Sequence, residues 1–303
     1  MKTILLIGKN GQVGWELERA LPAVGSVVAL DRGQMDLTQP DAIRKAIRDL
    51  SPDIIVNAAG YTAVDKAEVE TELAMQINAT APGIMAEEAK RINALLVHYS
   101  TDYVFDGTHA TPYMEEDEPN PVNAYGKSKL AGERAITAVG CAHLILRTSW
   151  IYSGRGTNFV LTILRLARAK KELAIVDDQV GSPTWARALA SSTAELVKKA
   201  NPRRNDSGVY HLCASGYASR LEFAREILMA TKNGAGVASG WAELRPTTTA
   251  DYPLPAQRPL NAATSKETIK KVFGIEMPRW ETQLQQFTGE LLADADWRRH
   301  AGF

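Results

Sequence analysis

A doubly wound α/β fold on a parallel sheet, with a smaller C-terminal lobe, is predicted by three features of the sequence. Short continuous apolar runs alternate with longer amphipathic segments as far as residue 150, which marks strands covered by helices on both faces. The first run ends in a glycine turn, "GKNGQVG", of the kind that leads a strand into a helix that binds phosphate. Beyond residue 150 the alternation breaks, and prolines gather in "RPTTTADYPLPAQRP". Such chain suits a small lobe better than more sheet.

Each element follows in order. "TILLIG" (3–8) is a buried strand and "QVGWELERALPAV" the helix after it. "SVVALD" (26–31) is the second strand, and "QPDAIRKAIRDL" (39–50) a helix, because Ile43, Ile47 and Leu50 share one face. "DIIVNAAG" (53–60) is the third strand, followed by helical turns interrupted at Pro82. "ALLVHYST" (94–101) is the fourth, "NAYGKSKLAGERAITAV" a helix, and "AHLILRTSW" (142–150) the fifth. Later come a helix in "NFVLTILRLARAKKEL", a strand and turn in "LAIVDDQVGSPT" and a helix in "WARALASSTAELVKKA". "GVYHLCAS" is a late strand placed to rejoin the main sheet. The βαβ series is Rossmann-like. It divides the chain into a nucleotide domain, 1–152 plus about 183–213, and a substrate-binding lobe, about 153–182 plus 214–303.

Composition narrows the class. Lys plus Arg equals Asp plus Glu at 35 each, so no basic excess draws the chain to nucleic acid or an anionic membrane. The two cysteines, Cys141 and Cys213, lie too far apart for a metal motif and suit a reducing compartment. "MKTILLIG" is too short for a secretory signal, and no run reaches the roughly 18 apolar residues of a membrane helix. A cytoplasmic location is expected.

Gly8, Gly11 and Gly14 stand at GxxGxxG spacing between strand and helix. Side chains there would keep the backbone from a pyrophosphate, which the helix N-terminus attracts. Asp31, at the end of the second strand, is placed to bind the adenosine ribose hydroxyls. Asp31 alone favours NADH. Adjacent Arg32 can pair with the 2′-phosphate of NADPH or lie free in solvent, so dual use is expected.

The fourth strand runs into "STDYVFDG", and "YGKSK" puts Tyr125 and Lys129 one helical turn apart. A ketone that accepts hydride needs a proton. Tyr125 can supply it if its pKa, normally about 10, is brought down, and Lys129 offers the positive charge to do so. Thr101 can hydrogen-bond the substrate oxygen. The glycine turn and this pair belong to one catalytic reading.

The blocks "GKNGQVGWEL", "DIIVNAAGYTAVDKAE", "HYSTDYVFDG", "NAYGKSKLAGE", "LRTSWIY", "DDQVGSPT", "GVYHLCASG" and "RPLNAATS" resemble the extended short-chain dehydrogenase/reductase family along nearly the whole chain. Within it they are similar to the branch that reduces the C4 keto group of a dTDP-linked dehydrorhamnose. The resemblance implies NAD(P)H contacts at Gly11, Gln12, Val13, Asp31, Asp36, Leu37, Gly60, Tyr61, Thr62, Tyr99, Tyr125 and Lys129. It implies sugar-nucleotide contacts at Thr101, Asp102 and Trp150. Gly60-Tyr61 departs from the Ala-His often found there, which touches cofactor packing and not chemistry. Some members are dimers bridged by magnesium through the Glu of "GWEL", here Glu16. Glu195 and Glu290 match the remaining ligands by type only, so no metal site is assigned, and Glu16 reads as a first-turn helix residue favoured by the dipole. A homodimer stays open.

Two rivals stand beside the reductase. One is a sugar-nucleotide epimerase or 4,6-dehydratase; a dehydratase would carry Asp-Glu after Thr101, where this chain has Asp102-Tyr103. The other is a non-catalytic dinucleotide-binding regulatory subunit, which has no need of a tuned tyrosine. His98, His211, Cys141 and Cys213 read as core residues, Trp185, Trp241, Trp280 and Trp297 as packing, and "WRRHAGF" as a solvated tail.

Overall fold

The computed structural model describes residues 1–200, 206–236 and 240–294; Trp297 and the tail "WRRHAGF" lie outside them. The first half runs β1 (Thr3–Ile7), α1 (Gln12–Ala20), β2 (Ser26–Leu30), α2 (Pro40–Leu50), β3 (Ile54–Asn57), α3 (Val64–Ala67), α4 (Thr71–Met75), α5 (Ala81–Ile92), β4 (Leu95–Thr101), α6 (Ala124–Val139) and β5 (His143–Thr148). The second half runs β6 (Ile151–Tyr152), α7 (Phe159–Ala169), β7 (Glu172–Val176), β8 (Val180–Gly181), β9 (Thr184–Trp185), α8 (Ala186–Lys199), β10 (Gly208–His211), β11 (Ala218–Ser219), α9 (Arg220–Ala235), β12 (Glu243–Thr247), α10 (Glu267–Phe273) and α11 (Trp280–Ala293).

Six strands form one sheet in the order β10-β5-β4-β3-β1-β2. Every neighbouring pair is parallel. The late strand β10 does rejoin the sheet, beside β5. β4 is buried along all seven residues, as a central strand covered on both faces must be. One face packs on α1, α8 and α10 through Leu17, Leu189 and Phe273, the other on α2 and α5 through Ile43, Ile47 and Met85. From β1 the chain goes to β2 on one side and β3 on the other, so the crevice opens at the carboxyl ends between them.

A separate apolar cluster joins α7, α9 and α11 around Tyr152, Phe223 and Phe287. The Pro-rich stretch 245–259 holds the end of β12, which pairs in parallel with β7, and then turns without helix. Pro82 behaves differently from expectation. It occupies the first turn of α5, and the chain reaches it through a π-turn at Gln76–Thr80. A proline has no N–H to donate and crowds the preceding turn; the wider π-turn accommodates it without ending the helix.

Candidate active site

At one end of the crevice Gly8 turns the chain with φ +90°, a conformation that costs glycine little. A Cβ on Gly14 would come 2.0 Å from the Gly8 carbonyl, whereas one on Gly11 would stand 3.3 Å from it. Gly14 therefore lets α1 pack directly on the turn. Gly11 is the N-cap of α1, and no side chain caps it, so the first-turn N–H groups are left to an outside acceptor such as a phosphate. The side chain of Gln12 is engaged elsewhere: its Oε1 accepts from Ser153 Oγ and Asn158 Nδ2, both at 3.0 Å. Val13 packs on the sheet.

Asp31 accepts the N–H groups of Gly33 and Gln34 at 3.0 and 3.2 Å, with Lys9 Nζ 3.6 Å away. Burial works to raise its pKa, but these hydrogen bonds and Lys9 prevail and hold the carboxyl below its usual range. Arg32 points to solvent, 79% exposed, and pairs with Asp36 at 3.4 Å. Asp36 in turn accepts from the Thr38 amide and hydroxyl, which lower its pKa, and Leu37 is buried. Gly60, Tyr61 and Thr62 follow β3, which ends at Asn57 and not at residue 60. The Tyr61 amide donates to Asn78 Oδ1 at 2.8 Å, and its hydroxyl to Glu70 at 2.9 Å.

At the other end the fourth strand delivers Thr101 and Asp102, both buried. The Thr101 hydroxyl donates to Asp102 Oδ1 at 3.1 Å, and Ser149 donates to Asp102 Oδ2 at 2.7 Å. Burial raises the Asp102 pKa to about 6 against these hydrogen bonds. Asn123 caps α6 by accepting the Gly126 N–H at 2.8 Å, which places Tyr125 in the first turn. Its phenol lies against the Thr101 hydroxyl. Tyr125, Thr101, Asp102 and Ser149 so form one polar chain, with the phenol at its outer end.

Lys129 is buried on the same helix, its pKa lowered to about 8 by burial, with Glu133 opposing. Its Nζ donates to the Tyr99 carbonyl at 2.5 Å and meets His98 Nε2 at 3.3 Å. This corrects the expectation for the tyrosine. The lysine head is engaged with β4, and burial raises the Tyr125 pKa instead of lowering it. Tyr99 is also placed differently from expectation. Its ring packs in the core and its hydroxyl bonds Thr193 in α8 at 2.6 Å, so only its carbonyl faces Lys129.

Trp150 leaves the sheet: β5 ends at Thr148, and Trp150 takes φ +44°. Its ring lies against Gly181, where a Cβ would come within 2.4 Å, and the Arg220 guanidinium stacks over it at 3.5 Å. Arg220 also acts electrostatically on Asp102 and Tyr103, and Arg258, paired with Asp65 at 2.9 Å, acts on Tyr103. These arginines were missed. They arrive from segments far along the chain, and no local spacing announces them.

Two of the carboxylates considered for magnesium meet at an arginine. Arg187 bonds Glu16 at 3.1 Å and also Glu290, so a guanidinium stands between the two. Glu195 pairs with Lys199 at 2.6 Å. Among the described residues no group of three potential ligands occurs. Glu16 is not in the first turn of α1 either; Arg187, not the helix dipole, accounts for its burial. His211, Cys141 and Cys213 are buried, as are Trp185 and Trp280, while Trp241 packs part-buried in the lobe cluster. No helix among the described residues is long and apolar enough to cross a membrane.

A parallel sheet with an uncapped glycine turn at one end, and a Tyr–Lys helix against a Ser–Thr strand end at the other, defines an extended short-chain dehydrogenase/reductase. The chain belongs to the RmlD substrate binding domain family, whose model matches residues 1–293. It is 45% identical to a dTDP-4-dehydrorhamnose reductase of Burkholderia thailandensis, over 96% of this chain and 99% of that one. It is 42% identical to the Escherichia coli enzyme of the same name, over 95% and 97%. A crystal structure of the Bacillus anthracis reductase in complex with NADP superimposes with a TM-score of 0.87, at 33% identity, covering 95% of this chain and 99% of that one. A Thermus thermophilus UDP-glucose 4-epimerase in complex with NAD reaches 0.78 at 18% identity over 97% and 99%, a likeness of fold alone.

Proposed function

We propose that this protein reduces the C4 keto group of dTDP-4-dehydro-L-rhamnose to the alcohol of dTDP-L-rhamnose with NADPH or NADH. The observation that carries the reading is the Tyr125–Thr101–Asp102 chain at the sheet's carboxyl edge, in a sequence alike to named reductases over almost its full length. Gly11 and Gly14 fit a pyrophosphate, since one leaves the helix end open and the other lets it approach the turn. Asp31 would hold the adenosine ribose, and Lys129 the nicotinamide ribose. The reduced cofactor supplies the hydride. Tyr125 donates its proton to the ketone oxygen as negative charge develops there. Thr101 stands against the phenol, and turning its hydroxyl from Asp102 to the phenol oxygen would favour the tyrosinate left after transfer. Trp150 and Arg220 border the sugar nucleotide. We also infer the division into a nucleotide domain and a lobe beginning near residue 153, and a cytoplasmic location.

Offering the purified protein the 4-keto sugar nucleotide with NADPH or NADH, without added metal, should give loss of nicotinamide absorbance and the rhamnose product. Bound cofactor with no turnover on this substrate would overturn the reading.

A further inference from the structure

His98 lies in β4 with both ring nitrogens engaged. Nδ1 is 3.0 Å from Asn57 Nδ2, and Nε2 is 3.3 Å from Lys129 Nζ. Burial and the Lys129 charge hold the imidazole pKa well below its ordinary value, so the ring is neutral and carries one N–H. Both neighbours are nitrogens, yet a neutral ring accepts at one position and donates at the other.

The Ala59 backbone decides which. Its N–H donates to Asn57 Oδ1 at 3.1 Å, and a backbone N–H has no alternative role. That turns Asn57 Nδ2 toward His98, makes Nδ1 the acceptor and leaves the proton on Nε2, facing Lys129. An ammonium has three donors and no acceptor, whereas a neutral amine has a lone pair. The Nε2–H is thus a partner for neutral Lys129 and an opposing dipole for the charged form. The alternative tautomer would suit the ammonium, but it requires the Asn57 amide to flip and leaves the Ala59 N–H without that acceptor.

We propose that His98, locked by Asn57 as its Nε2–H tautomer, is a positioning residue that sets the charge of Lys129 by disfavouring its ammonium form. The other groups around Lys129 are few. Glu133, one turn on along α6, favours the ammonium but is shared with Arg147 at 2.7 Å and with Ser100. The Tyr99 carbonyl on β4 accepts in either state. Tyr125 precedes it by one turn on α6, with Asp102 beyond, and the chain after β3 presents the Gly60 backbone. Burial already lowers the Lys129 pKa to about 8, and Lys129 is the group proposed to hold the nicotinamide ribose. As pH rises through that value its charge is lost from the cofactor site, and reduction should slow.

Two measurements test this. In protein labelled with 15N-histidine, with His98→Gln used for assignment, NMR should report the Nε2–H form at His98; the Nδ1–H form overturns the proposal. That arm uses no substrate, so it fails or succeeds apart from the reductase reading on which the kinetic arm rests. In the kinetic arm, kcat/KM is followed against pH, which reports groups of the free protein. His98→Gln can offer Lys129 an oxygen, and Asn57→Asp accepts Nδ1–H and turns the Nε2 lone pair to the lysine. The falling limb should move up by about one pH unit in both. His98→Gln adds no charge, which separates the tautomer effect from the new carboxylate of Asn57→Asp. A merely structural role lowers kcat or the melting temperature and leaves the limb where it was. An unmoved limb in a folded variant overturns the proposal, and if neither variant folds the tautomer measurement decides.

Discussion

The two ends of the sheet's carboxyl edge are built from different materials. At the β1–β2 end the side chains proposed to meet the cofactor are open to water: Asp31 is 29% and Arg32 79% exposed. Recognition there falls to backbone N–H groups and to charges that water and salt screen. At the β4–β5 end Thr101, Asp102, Lys129 and His98 are each at most 5% exposed, and each holds a neighbour in a hydrogen bond. Burial strengthens those bonds and moves the pKa values of Asp102 and Lys129 toward neutrality. Substitutions at the buried end should therefore change rate and proton affinity, and those at the open end should change cofactor binding by smaller amounts.

Tyr125→Phe gives the largest effect. It removes one hydroxyl from the chain through Thr101 to Asp102 and leaves the ring edge against Tyr103 at 6.0 Å in place. A general acid contributes about 10²–10⁴-fold, so kcat should fall by that order while fluorescence titration still shows the cofactor bound. Near-parent turnover would place the proton donor elsewhere.

Asp102→Asn should sharpen the contrast by separating stability from activity. Burial raises the Asp102 pKa from 3.8 to about 6, so folding disfavours its ionised form. The penalty, about 3 kcal/mol for two pKa units, is full above pH 6 and is lost progressively as pH falls from 6 to 3.8. The neutral amide escapes it. The variant should melt at or above the parent temperature at pH 8, with the gain shrinking below pH 6, although the Thr101 hydroxyl loses its anionic partner and kcat drops. A lower melting temperature at pH 8 would mean that the hydrogen bonds from Ser149 and Thr101 outweigh the burial cost.

At the open end Gly14→Ala tests packing. Its Cβ would stand 2.0 Å from the Gly8 carbonyl, so turn and helix must part, at about 1–3 kcal/mol. The cofactor Kd should rise together with a fall in melting temperature, and kcat at saturating cofactor should change less than in Tyr125→Phe. An unchanged Kd would show that the turn adjusts freely.

The same contrast explains what the sequence makes legible. The strands β1 to β5 are plain as apolar runs, and the glycine and Tyr–Lys spacings are local, so each can be read within a few residues. The partners that decide the chemistry are not local. His98 meets Lys129 from 31 residues away, Arg187 meets Glu16 from 171, and either could be an ordinary core or surface residue by sequence. Backbone detail is hidden in the same way. Nothing in "RTSWIY" announces the positive φ of Trp150, which takes its ring off the strand and onto Gly181. The expected lowering of the Tyr125 pKa failed because helical spacing shows which residues share a face, but not that the lysine head reaches the Tyr99 carbonyl.

The smallest expected effect is at Arg32. Its place beside Asp31 suggests a 2′-phosphate ligand, for which loss of a charged hydrogen bond would cost about 1–3 kcal/mol. The structure lowers that expectation. The guanidinium is 79% exposed with one partner, Asp36, at 3.4 Å, and Lys9 stands 3.6 Å from Asp31 as a second cation. Exposed ion pairs contribute about 0–1 kcal/mol, and salt weakens them further. Arg32→Ala should thus weaken NADPH relative to NADH by roughly fivefold or less, within about 1 kcal/mol. The difference should shrink as salt is raised and grow when Lys9→Ala is added. Isothermal titrations of both cofactors at low and high salt measure it. Equal losses for NADPH and NADH would remove Arg32 from cofactor selection. A loss confined to NADPH and much larger than tenfold would mean that Arg32 leaves solvent to bind the phosphate, and the open end would then resemble the buried one.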